Sequence, residues 1–178
     1  MFKDFKKRLL TCVSGFGFLG LMGMLMLMNA AQANTPNKVN GLPIDQCIAG
    51  AARFHRVDPQ LLKAILMVES RLNPNAVNRN TNGTRDIGVA QVNTIHLPTL
   101  EKHGISETEL KDACVNTYVG AWLLSKQIAR HGLNWFGVAA YHSTTPSKNA
   151  QYQYLVYKEL VRSGQLEKTA MLSTNMTK

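Results

Sequence analysis

The chain has 178 residues, a formal net charge of +9 at pH 7, and 45% hydrophobic residues against 17% charged ones. This length and apolar content suit one domain with its own core and exclude several domains. The excess of basic residues suits binding to an anionic polymer such as a cell wall, and it fits equally a surface without a partner. It does not indicate binding to nucleic acid, because basic and aromatic residues are not interleaved.

Residues 1–33 have the layout of a secretory signal. Four positive charges lie within the first eight residues, and no charged residue occurs from Leu9 to Met28. Ala31 and Ala33 then occupy the small-residue positions, which predicts cleavage after Ala33. The apolar run of about 20 residues is also long enough to span a bilayer, so an uncleaved anchor is the alternative. In both cases the rest of the chain is expected in the periplasm, and removal of the signal lowers the net charge from +9 to +6.

Residues 34–43 are rich in turn formers and are predicted to be a linker. A first helix is expected at residues 45–55. A second helix follows with Asp58 as its N-cap and Pro59 at its first position, and it ends near Arg71.

The apolar face of this second helix carries a carboxyl group. Four of its residues are spaced at i, i+3, i+4 and i+7 and therefore share one face: Leu62, Ile65, Leu66 and Glu69. Burial and the C-terminal end of a helix both disfavour a carboxylate, so both raise the pKa of Glu69. Such an acid stays protonated near neutral pH and can act as a general acid. Geometry alone leaves equally open a helix-end glutamate that turns towards solvent.

Residues 73–93 differ in character, because they are rich in asparagine, contain Gly83 and Gly88, and have only short apolar pieces. They are predicted to form a long loop or a small hairpin and not a helix. Long ordered loops in compact domains tend to carry function.

The helical pattern returns at Ser106, which precedes Glu109 in the spacing of a capping box. Helices are expected at residues 106–112, 114–131, 134–142 and 147–163. Core-facing stripes are expected from Val115, Tyr118, Val119 and Trp122 and, more weakly, from Tyr154, Tyr157 and Leu160. The domain, residues 44–163, is therefore predicted to be mainly α with a small loop or β-hairpin region, and residues 164–178 to be a flexible tail.

Two cysteines follow the signal, Cys47 and Cys114, and an exported chain lies where disulfides can form. They can pair in only one way, and a bridge that closes about 67 residues stabilises a fold by roughly 4 kcal/mol in the chain-entropy model. We predict this disulfide; the alternative is two buried free thiols.

Three short motifs lie in order along the domain: E-S at Glu69 and Ser70, G-V-A-Q at Gly88 to Gln91, and A-Y-H-S from Ala140. In this order they resemble the lysozyme-like lytic transglycosylases, whose pattern is E-S at a helix end, then G-L-M-Q, then A-Y-N-A-G. The resemblance covers roughly residues 44–160 and implies a lysozyme-like fold. More narrowly, the chain is similar to the small specialised transglycosylases of type IV secretion and conjugation, type IV pili and type III secretion, which also favour D-I-G and Y-H-S.

By this resemblance, Glu69 is the single catalytic acid and base on the β-1,4 bond between N-acetylmuramic acid and N-acetylglucosamine. It protonates the leaving oxygen, while the substrate's own acetamido oxygen stabilises the anomeric centre. The carboxylate then takes the proton of the muramic acid C6 hydroxyl, which closes on C1 as a 1,6-anhydro ring. No cofactor is implied. The implied partners are peptidoglycan glycan strands and components of a secretion, conjugation or pilus machine.

The resemblance implies roles for five further residues. Ser70 supports the acid and the sugar through its hydroxyl, with an ordinary helix-end serine as the alternative. Gly88 lets the backbone approach the sugar, and Gln91 binds its acetamido or hydroxyl groups. Tyr141 hydrogen-bonds near the acid, with a core aromatic as the alternative, and Asn93 is a further contact with the substrate.

The chain departs from the family pattern in two of the motifs. Val89 and Ala90 replace Leu and Met, which either widens the floor of a sugar subsite or reflects different packing. His142 replaces the asparagine, and it either donates the same hydrogen bond to the substrate or makes binding dependent on pH. Ser143 and Thr144 replace Ala and Gly, so subsite roles there do not transfer directly.

Two rival functions stay open on the sequence. A true lysozyme would activate water with a second carboxylate, and Asp86 is the only acidic residue beside a motif, although a turn-forming role fits it as well. A secretion-apparatus assembly factor would act through its contacts, and the intact Glu69, Gln91 and Tyr141 argue against a purely structural role.

Other site types lack support in the sequence. Phosphate-loop and dinucleotide fingerprints are absent, and a membrane is a partner only through an uncleaved N-terminal segment. No metal site is predicted, because the five histidines show no ligand spacing with acids or cysteines: His55, His96, His103, His131 and His142.

Overall fold

The computed structural model describes residues 38–39 and 42–164. The predicted signal at residues 1–33 and the predicted tail after Gly164 lie outside the described residues. Within the predicted linker, Lys38–Val39 (β1) and Leu42–Pro43 (β2) pair as antiparallel strands just before the first helix. No helix of the described residues has the length and apolar content needed to cross a membrane.

The described part of the chain is mostly helical, which confirms the predicted fold class. Five of the predicted helices are present to within two residues at either end. Over the described residues the α-helices are α1 (Ile44–His55), α2 (Pro59–Ser70), α3 (Leu97–Glu101), α4 (Glu107–Leu110), α5 (Ala113–His131), α6 (Trp135–Ala139) and α7 (Pro146–Arg162).

Helix α2 begins and ends as its sequence predicts. The Asp58 carboxylate accepts a 2.8 Å hydrogen bond from the Leu61 amide, and Pro59 occupies the first helical position. The helix ends where Arg71 adopts a left-handed conformation with φ 56°. This backbone turn directs the chain away from the helix immediately after Glu69 and Ser70.

The asparagine-rich segment forms a small antiparallel sheet. Its strands are Val77–Arg79 (β3), Arg85–Ile87 (β4) and Val92–Asn93 (β5), in the order β3-β4-β5. The register places Asn78 opposite Asp86 and Asp86 opposite Asn93. A hairpin was one of the two predictions for this segment, and the third strand extends it.

Two helical segments differ from the predictions. A 3-10 helix at Thr94–His96 leads directly into α3, and neither was predicted, because elements this short carry no hydrophobic period. The helix predicted at residues 134–142 ends at Ala139, and the chain then turns through residues 140–143. That turn carries the third sequence motif.

The core lies between α1 and α5 and between α2 and α7, which are the closely packed helix pairs. The predicted disulfide is confirmed: Cys47 of α1 joins Cys114 of α5 with their Cα atoms 5.2 Å apart. On α5 the predicted stripe is partly correct, because Val119 is fully buried while Trp122 lies at the edge of the core.

The stripe predicted on α7 is correct at Leu160 and wrong at Tyr154. Tyr154 is 58% exposed, whereas the buried face of α7 carries Tyr152, Val156 and Leu160. The spacing of four residues between these three side chains is the period of a helix face, so the correct stripe begins two residues before the predicted one. This shift brings Tyr152, and not Tyr154, against α2.

Candidate active site

Glu69 lies in the last turn of α2 and points into the domain towards α7. The Tyr152 hydroxyl donates a 2.5 Å hydrogen bond to Glu69 Oε1. The pKa of Glu69 is raised to about 7, mainly by burial; the hydrogen bond from Tyr152 lowers this pKa, and the negative charge of Asp86 raises it by a smaller amount. A carboxyl group with this pKa is present in both protonation states near neutral pH, as an acid that later acts as a base requires. The alternative of a glutamate turned to solvent is excluded.

Asp86 lies on the middle strand β4 and is held by amide groups of both neighbouring strands. Asn93 donates a 2.7 Å hydrogen bond to Asp86 Oδ1, and Asn80 donates a 3.0 Å bond to Asp86 Oδ2. Asn78 adds a longer bond of 3.4 Å to the same Oδ2. Each carboxylate oxygen therefore has at least one donor, and the negative charge of Asp86 is fixed in the sheet.

Asn93 is engaged within the sheet. Its amide nitrogen donates to Asp86 and, at 3.1 Å, to Thr84 Oγ1. Its carbonyl oxygen accepts from the Ile95 amide and so caps the 3-10 helix. These contacts use both hydrogens of the side-chain amide, so the predicted contact of Asn93 with substrate falls on a residue already committed to positioning Asp86.

Two hydroxyl groups anchor the G-V-A-Q motif through its backbone carbonyls. Ser70 Oγ donates a 2.8 Å hydrogen bond to Val89 O, and Tyr141 Oη donates a 2.7 Å bond to Ala90 O. Ser70 Oγ also accepts from the Asn73 amide at 3.1 Å. The three predicted motifs are therefore joined to one another, with the second motif between the other two.

Tyr141 lies near both acidic residues of the site. Burial, together with the negative charges of Glu69 and Asp86, raises the pKa of its hydroxyl well above the ordinary value. The hydroxyl therefore keeps its proton throughout the neutral pH range and acts as a hydrogen-bond donor, here to Ala90 O. In this structure the hydrogen bond to Glu69 comes from Tyr152 instead.

Asn116 is a fully buried polar residue of α5 that the sequence analysis missed. Its Oδ1 accepts a 2.8 Å hydrogen bond from the Ala90 amide, and its Nδ2 donates to Ile87 O and Leu110 O at 2.8 and 2.9 Å. One side chain thus ties the sheet and the second motif to α4 and α5. Its position on an otherwise apolar helix face is the same signal that identified Glu69.

Gly88 allows the side chain of Asn116 to approach its backbone closely. Its φ is +75°, and a Cβ added there would collide with the side-chain amide of Asn116. Asn116 occupies the space that a side chain at this position would need. The residue type is therefore required by the packing of the domain.

Gln91 closes the turn that contains the second motif. Its backbone has φ 46°, and its side-chain amide donates to Gly88 O at 2.9 Å and to Ala76 O at 3.3 Å. Both hydrogens of the side-chain amide thus bond to the protein. Among the contacts of the described residues, the side-chain carbonyl oxygen is the group that a ligand could reach.

The two small residues of the second motif are buried. Val89 and Ala90 are both completely inaccessible to solvent. Ala90 faces Gly120 of α5, where an added Cβ would lie 2.6 Å from the Ala90 Cβ and 3.3 Å from Tyr141 Oη. Of the two expectations for the replacement of Leu and Met, different packing is the one the structure supports, because neither side chain forms the floor of an open subsite.

His142 and Tyr152 form a parallel stack. Their ring centroids are 4.9 Å apart and the planes differ by 5°. Burial and the positive charge of Lys148 lower the pKa of His142, against an opposing effect of Asp86. Tyr152 is 3% exposed and was not predicted as a site residue; the spacing of Tyr152, Val156 and Leu160 was the available signal.

The site therefore gathers Glu69, Tyr152, Tyr141 and Asp86 around the G-V-A-Q turn, with His142 above Tyr152. Within residues 42–164 no group of three or more His, Cys, Asp or Glu side chains is placed to hold a metal ion. The chemistry that these contacts favour is proton transfer by Glu69.

A family model described as the Transglycosylase SLT domain matches residues 46–158. The chain belongs to this family. The matched segment contains all three motifs, both cysteines of the disulfide and Tyr152. Membership gives the SLT domain a peptidoglycan-related function of the lytic transglycosylase type, and peptidoglycan lies outside the cytoplasm.

Several curated proteins are similar to this SLT domain. "Invasion protein IagB" of Salmonella typhi is 34% identical over 115 residues, which cover 64% of this chain and 72% of that protein. "Protein IpgF" of Shigella flexneri is 34% identical over 121 residues, covering 65% and 80%. "Peptidoglycan-binding-like protein" of Escherichia coli O157:H7 is 30% identical over 139 residues, covering 71% and 83%.

Proposed function

We propose that the protein is a peptidoglycan lytic transglycosylase that cleaves the β-1,4 bond between N-acetylmuramic acid and N-acetylglucosamine and leaves a 1,6-anhydro end. The observation that carries the proposal is the placement of Glu69: its half-buried carboxyl group accepts a hydrogen bond from Tyr152, and its pKa is raised to about 7. Such a group can give a proton to the leaving oxygen and then take one back.

The reaction needs one carboxyl group in two successive states. Protonated Glu69 gives its proton to the glycosidic oxygen as the bond to C1 breaks, and the substrate's acetamido oxygen closes on C1 as an oxazolinium ion. The Glu69 carboxylate then accepts the proton of the C6 hydroxyl, whose oxygen bonds to C1 and displaces the acetamido oxygen. The nucleophile belongs to the same sugar, so it is already in position and water is not consumed.

Tyr152 supports both states of Glu69. Its hydroxyl stabilises the carboxylate formed by the first proton transfer, because a hydrogen bond to a charged acceptor is stronger than one to a neutral acceptor. Burial and the charge of Glu69 raise the pKa of Tyr152 well above its ordinary value, so the hydroxyl keeps its proton throughout. The proposed role of Tyr152 is therefore to orient the carboxyl group and not to transfer a proton.

The remaining predicted residues divide between support and substrate binding. Ser70 and Tyr141 hold the second motif through Val89 O and Ala90 O, which supports a role in shaping the sugar site. Gln91 is proposed to accept a hydrogen bond from a sugar hydroxyl or acetamido group through its carbonyl oxygen.

Hydrolysis is the second candidate reaction, and Asp86 is the observation that favours it. Its charge contributes to the raised pKa of Glu69, so the two carboxyl groups are electrostatically coupled. However, Asn78, Asn80 and Asn93 donate to its oxygens, which suits a fixed charge better than a base that must bind and activate water. We therefore propose an electrostatic role for Asp86.

We further propose that the enzyme acts in the periplasm and opens the wall locally for a secretion, conjugation or pilus machine. The similarity to a Salmonella typhi protein that is named an invasion protein supports this role. Components of such a machine would be its partners, beside the glycan strand.

The test is mass spectrometry of muropeptides released from purified peptidoglycan. The full chain is compared with Glu69→Gln, which keeps the shape of the side chain, and with Glu101→Gln, an exposed control on α3. A transglycosylase releases products lighter by one water molecule than hydrated muropeptides. We expect Glu69→Gln to lose activity by about 10²- to 10⁴-fold and the control to keep it.

The alternative outcomes separate the candidates. Reducing ends in place of anhydro ends would assign hydrolysis and direct attention to Asp86. Activity of Glu69→Gln at the wild-type level would refute the proposed role of Glu69. No release from any variant would favour an assembly factor.

A further inference from the structure

The turn after α6 is clamped onto α7 beside Tyr152. The buried side chain of Asn149 donates hydrogen bonds to Ser143 O at 2.8 Å and to Phe136 O at 3.1 Å. Gln153 holds the Asn149 carbonyl oxygen in turn with a 2.7 Å bond. Asn149 lies three residues before Tyr152, so the residues around His142 are fixed to the same helix turn that presents the Tyr152 ring.

The backbone of His142 is fixed from its other side as well. Its amide donates a 3.1 Å hydrogen bond to Ala139 O, at the end of α6. The preceding residue, Tyr141, is anchored to Ala90 O. The backbone of His142 is therefore held beside Tyr152 by contacts that do not involve the His142 side chain, and the imidazole is within reach of the Tyr152 ring from this fixed position.

The imidazole of His142 covers one face of the Tyr152 ring, whose only polar atom is hydrogen-bonded to Glu69. Tyr152 Oη bonds to Glu69, and one face of the phenol ring lies under the imidazole. The carboxyl group of Glu69 fixes one end of Tyr152, but a single hydrogen bond does not fix the rotation of the ring about that end. A parallel neighbour restricts the ring plane, because tilting it would bring the two rings into collision.

We propose that His142 is a positioning residue: its ring, stacked on Tyr152, holds the Tyr152 hydroxyl in place on the carboxyl group of Glu69. The inference rests on the proposed function for its effect on the reaction, but the coupling of His142 to Tyr152 can be measured without catalysis. It replaces both roles expected from the sequence, which were a direct hydrogen bond to substrate and pH-dependent binding. The family asparagine at this position has no ring to stack.

The charge state of His142 fits this role. The charged group on α7 that acts on it is Lys148, and its positive charge opposes protonation of the imidazole, as burial does; Asp86 of β4 acts in the opposite sense. A neutral imidazole stacks on the phenol ring without placing a positive charge beside the proton that Glu69 donates. The stack, and not a charge, is the proposed function of the ring.

The first test is nuclear magnetic resonance of the full chain in mild detergent, with its five tyrosines labelled with carbon-13 at Cζ. Tyr152→Phe identifies the Tyr152 signal by its loss. Because the Tyr152 hydroxyl bonds to Glu69, this signal should shift as Glu69 ionises near neutral pH, and Glu69→Gln should abolish that shift. The same titration is recorded for His142→Phe, which keeps a flat ring, and for His142→Ala, which removes it.

The expected result is that the pH-dependent shift persists in His142→Phe and is lost in His142→Ala. Persistence in the phenylalanine variant assigns the shift to Glu69, since that variant has no imidazole to titrate. A full shift in His142→Ala would overturn the proposal, because Tyr152 would then keep its contact with Glu69 without the stack. Loss of the shift in both variants would also overturn it, since the imidazole itself and not a stacked ring would be required.

The second test is kinetic and uses the same pair of variants. We expect His142→Ala to lower kcat on the order of 10-fold with KM nearly unchanged, because a small misplacement of a catalytic group is costly. His142→Phe should recover most of that loss. Tyr154→Ala, at an exposed position on the same helix, is the control. A rise in KM with kcat unchanged would show that His142 binds substrate directly, and would contradict the proposal.

An inactive wild-type protein would refute the proposed function and leave the resonance experiment intact. Conversely, an active enzyme whose Tyr152 signal ignores His142 would refute only the positioning role. Thermal unfolding of each variant checks that the domain stays folded.

Discussion

Tyr152 and Glu69 lie 83 residues apart in the sequence and meet in a 2.5 Å hydrogen bond between α7 and α2. The bond connects the carboxyl group of the candidate acid to the helix that packs against α2. It also opposes the main effect on Glu69, since burial raises the pKa of the carboxyl group and the hydrogen bond lowers it. The protonation of Glu69 therefore depends on α7 as well as on its own helix, in addition to the charge of Asp86.

Tyr152→Phe is expected to shift the pH dependence of the enzyme to higher pH. The variant removes the hydroxyl that lowers the pKa of Glu69, so that pKa should rise above about 7. The first step needs protonated Glu69, so the alkaline limb of the pH profile of kcat/KM should move upward. The maximal rate should fall on the order of 10-fold with the lost bond to the carboxylate. Tyr154→Phe is the matched control, and an alkaline limb that moves downward would contradict the assignment.

Glu69→Gln is expected to stabilise the fold at neutral and alkaline pH. The pKa of Glu69 is about 7 in the folded chain against 4.5 for the ordinary group, so the folded state binds the proton more tightly. Binding of this proton stabilises the wild-type fold. The stabilisation of the wild-type protein is complete below about pH 4.5 and is lost as the pH rises through about 7. Above that pH the wild-type protein keeps a buried charge that glutamine lacks, at a cost of up to about 3 kcal/mol.

Urea unfolding of both proteins at a series of pH values measures this difference. The two free energies of unfolding should differ least near pH 4 and most above about pH 7. A difference that stays constant with pH would mean that the pKa of Glu69 is not raised in the folded state.

Asp86→Asn is expected to shift the alkaline limb of kcat/KM to lower pH, opposite to Tyr152→Phe. Its negative charge raises the pKa of Glu69, and the neutral amide removes that effect. The products should keep anhydro ends, because the proposed reaction does not pass through Asp86. Asp45→Asn, on the exposed surface of α1, is the control, and circular dichroism verifies the fold. Loss of all activity in folded Asp86→Asn would support the hydrolytic alternative.

Asn116→Ala is expected to destabilise the domain by about 2 to 4 kcal/mol, because it removes the partner of one buried amide and two buried carbonyls. It should also lower activity, since the Ala90 amide and the Ile87 carbonyl lose the contact that holds the second motif. Chemical denaturation measures the first effect and muropeptide release the second. Asn75→Ala, at an exposed position, should change neither by a comparable amount.

Much of this fold follows from local signals in the sequence. Asp58, Pro59 and the Ser106 capping box predicted helix starts that the structure contains, because caps act over three or four residues. The short helix at Leu97–Glu101 has Pro98 at its start but no capping side chain, and it is too short to show a hydrophobic period. The position of Glu69 on a helix face was predicted for the same reason as the caps, since helical periodicity is a local property.

The contacts between distant elements could not be predicted in this way. Tyr152 was missed because the register of α7 was assigned to Tyr154, and a sequence without its partner helices does not fix which face is buried. Gly88 was predicted to allow a close approach of the backbone to the sugar, and the close neighbour that the structure adds is Asn116 of α5. Family motifs identify residues that matter more reliably than they identify what each residue touches.

The disulfide between Cys47 and Cys114 makes the stability of the domain depend on the redox state of its surroundings. It fastens the two helices that form one half of the core, α1 and α5. In a reducing compartment the two cysteines remain as free thiols. The fold then lacks the roughly 4 kcal/mol that a disulfide closing a loop of this length contributes in the chain-entropy model. At the proposed periplasmic location the bridge can form, and the domain then gains this stabilisation in the same compartment as the peptidoglycan on which we propose it acts.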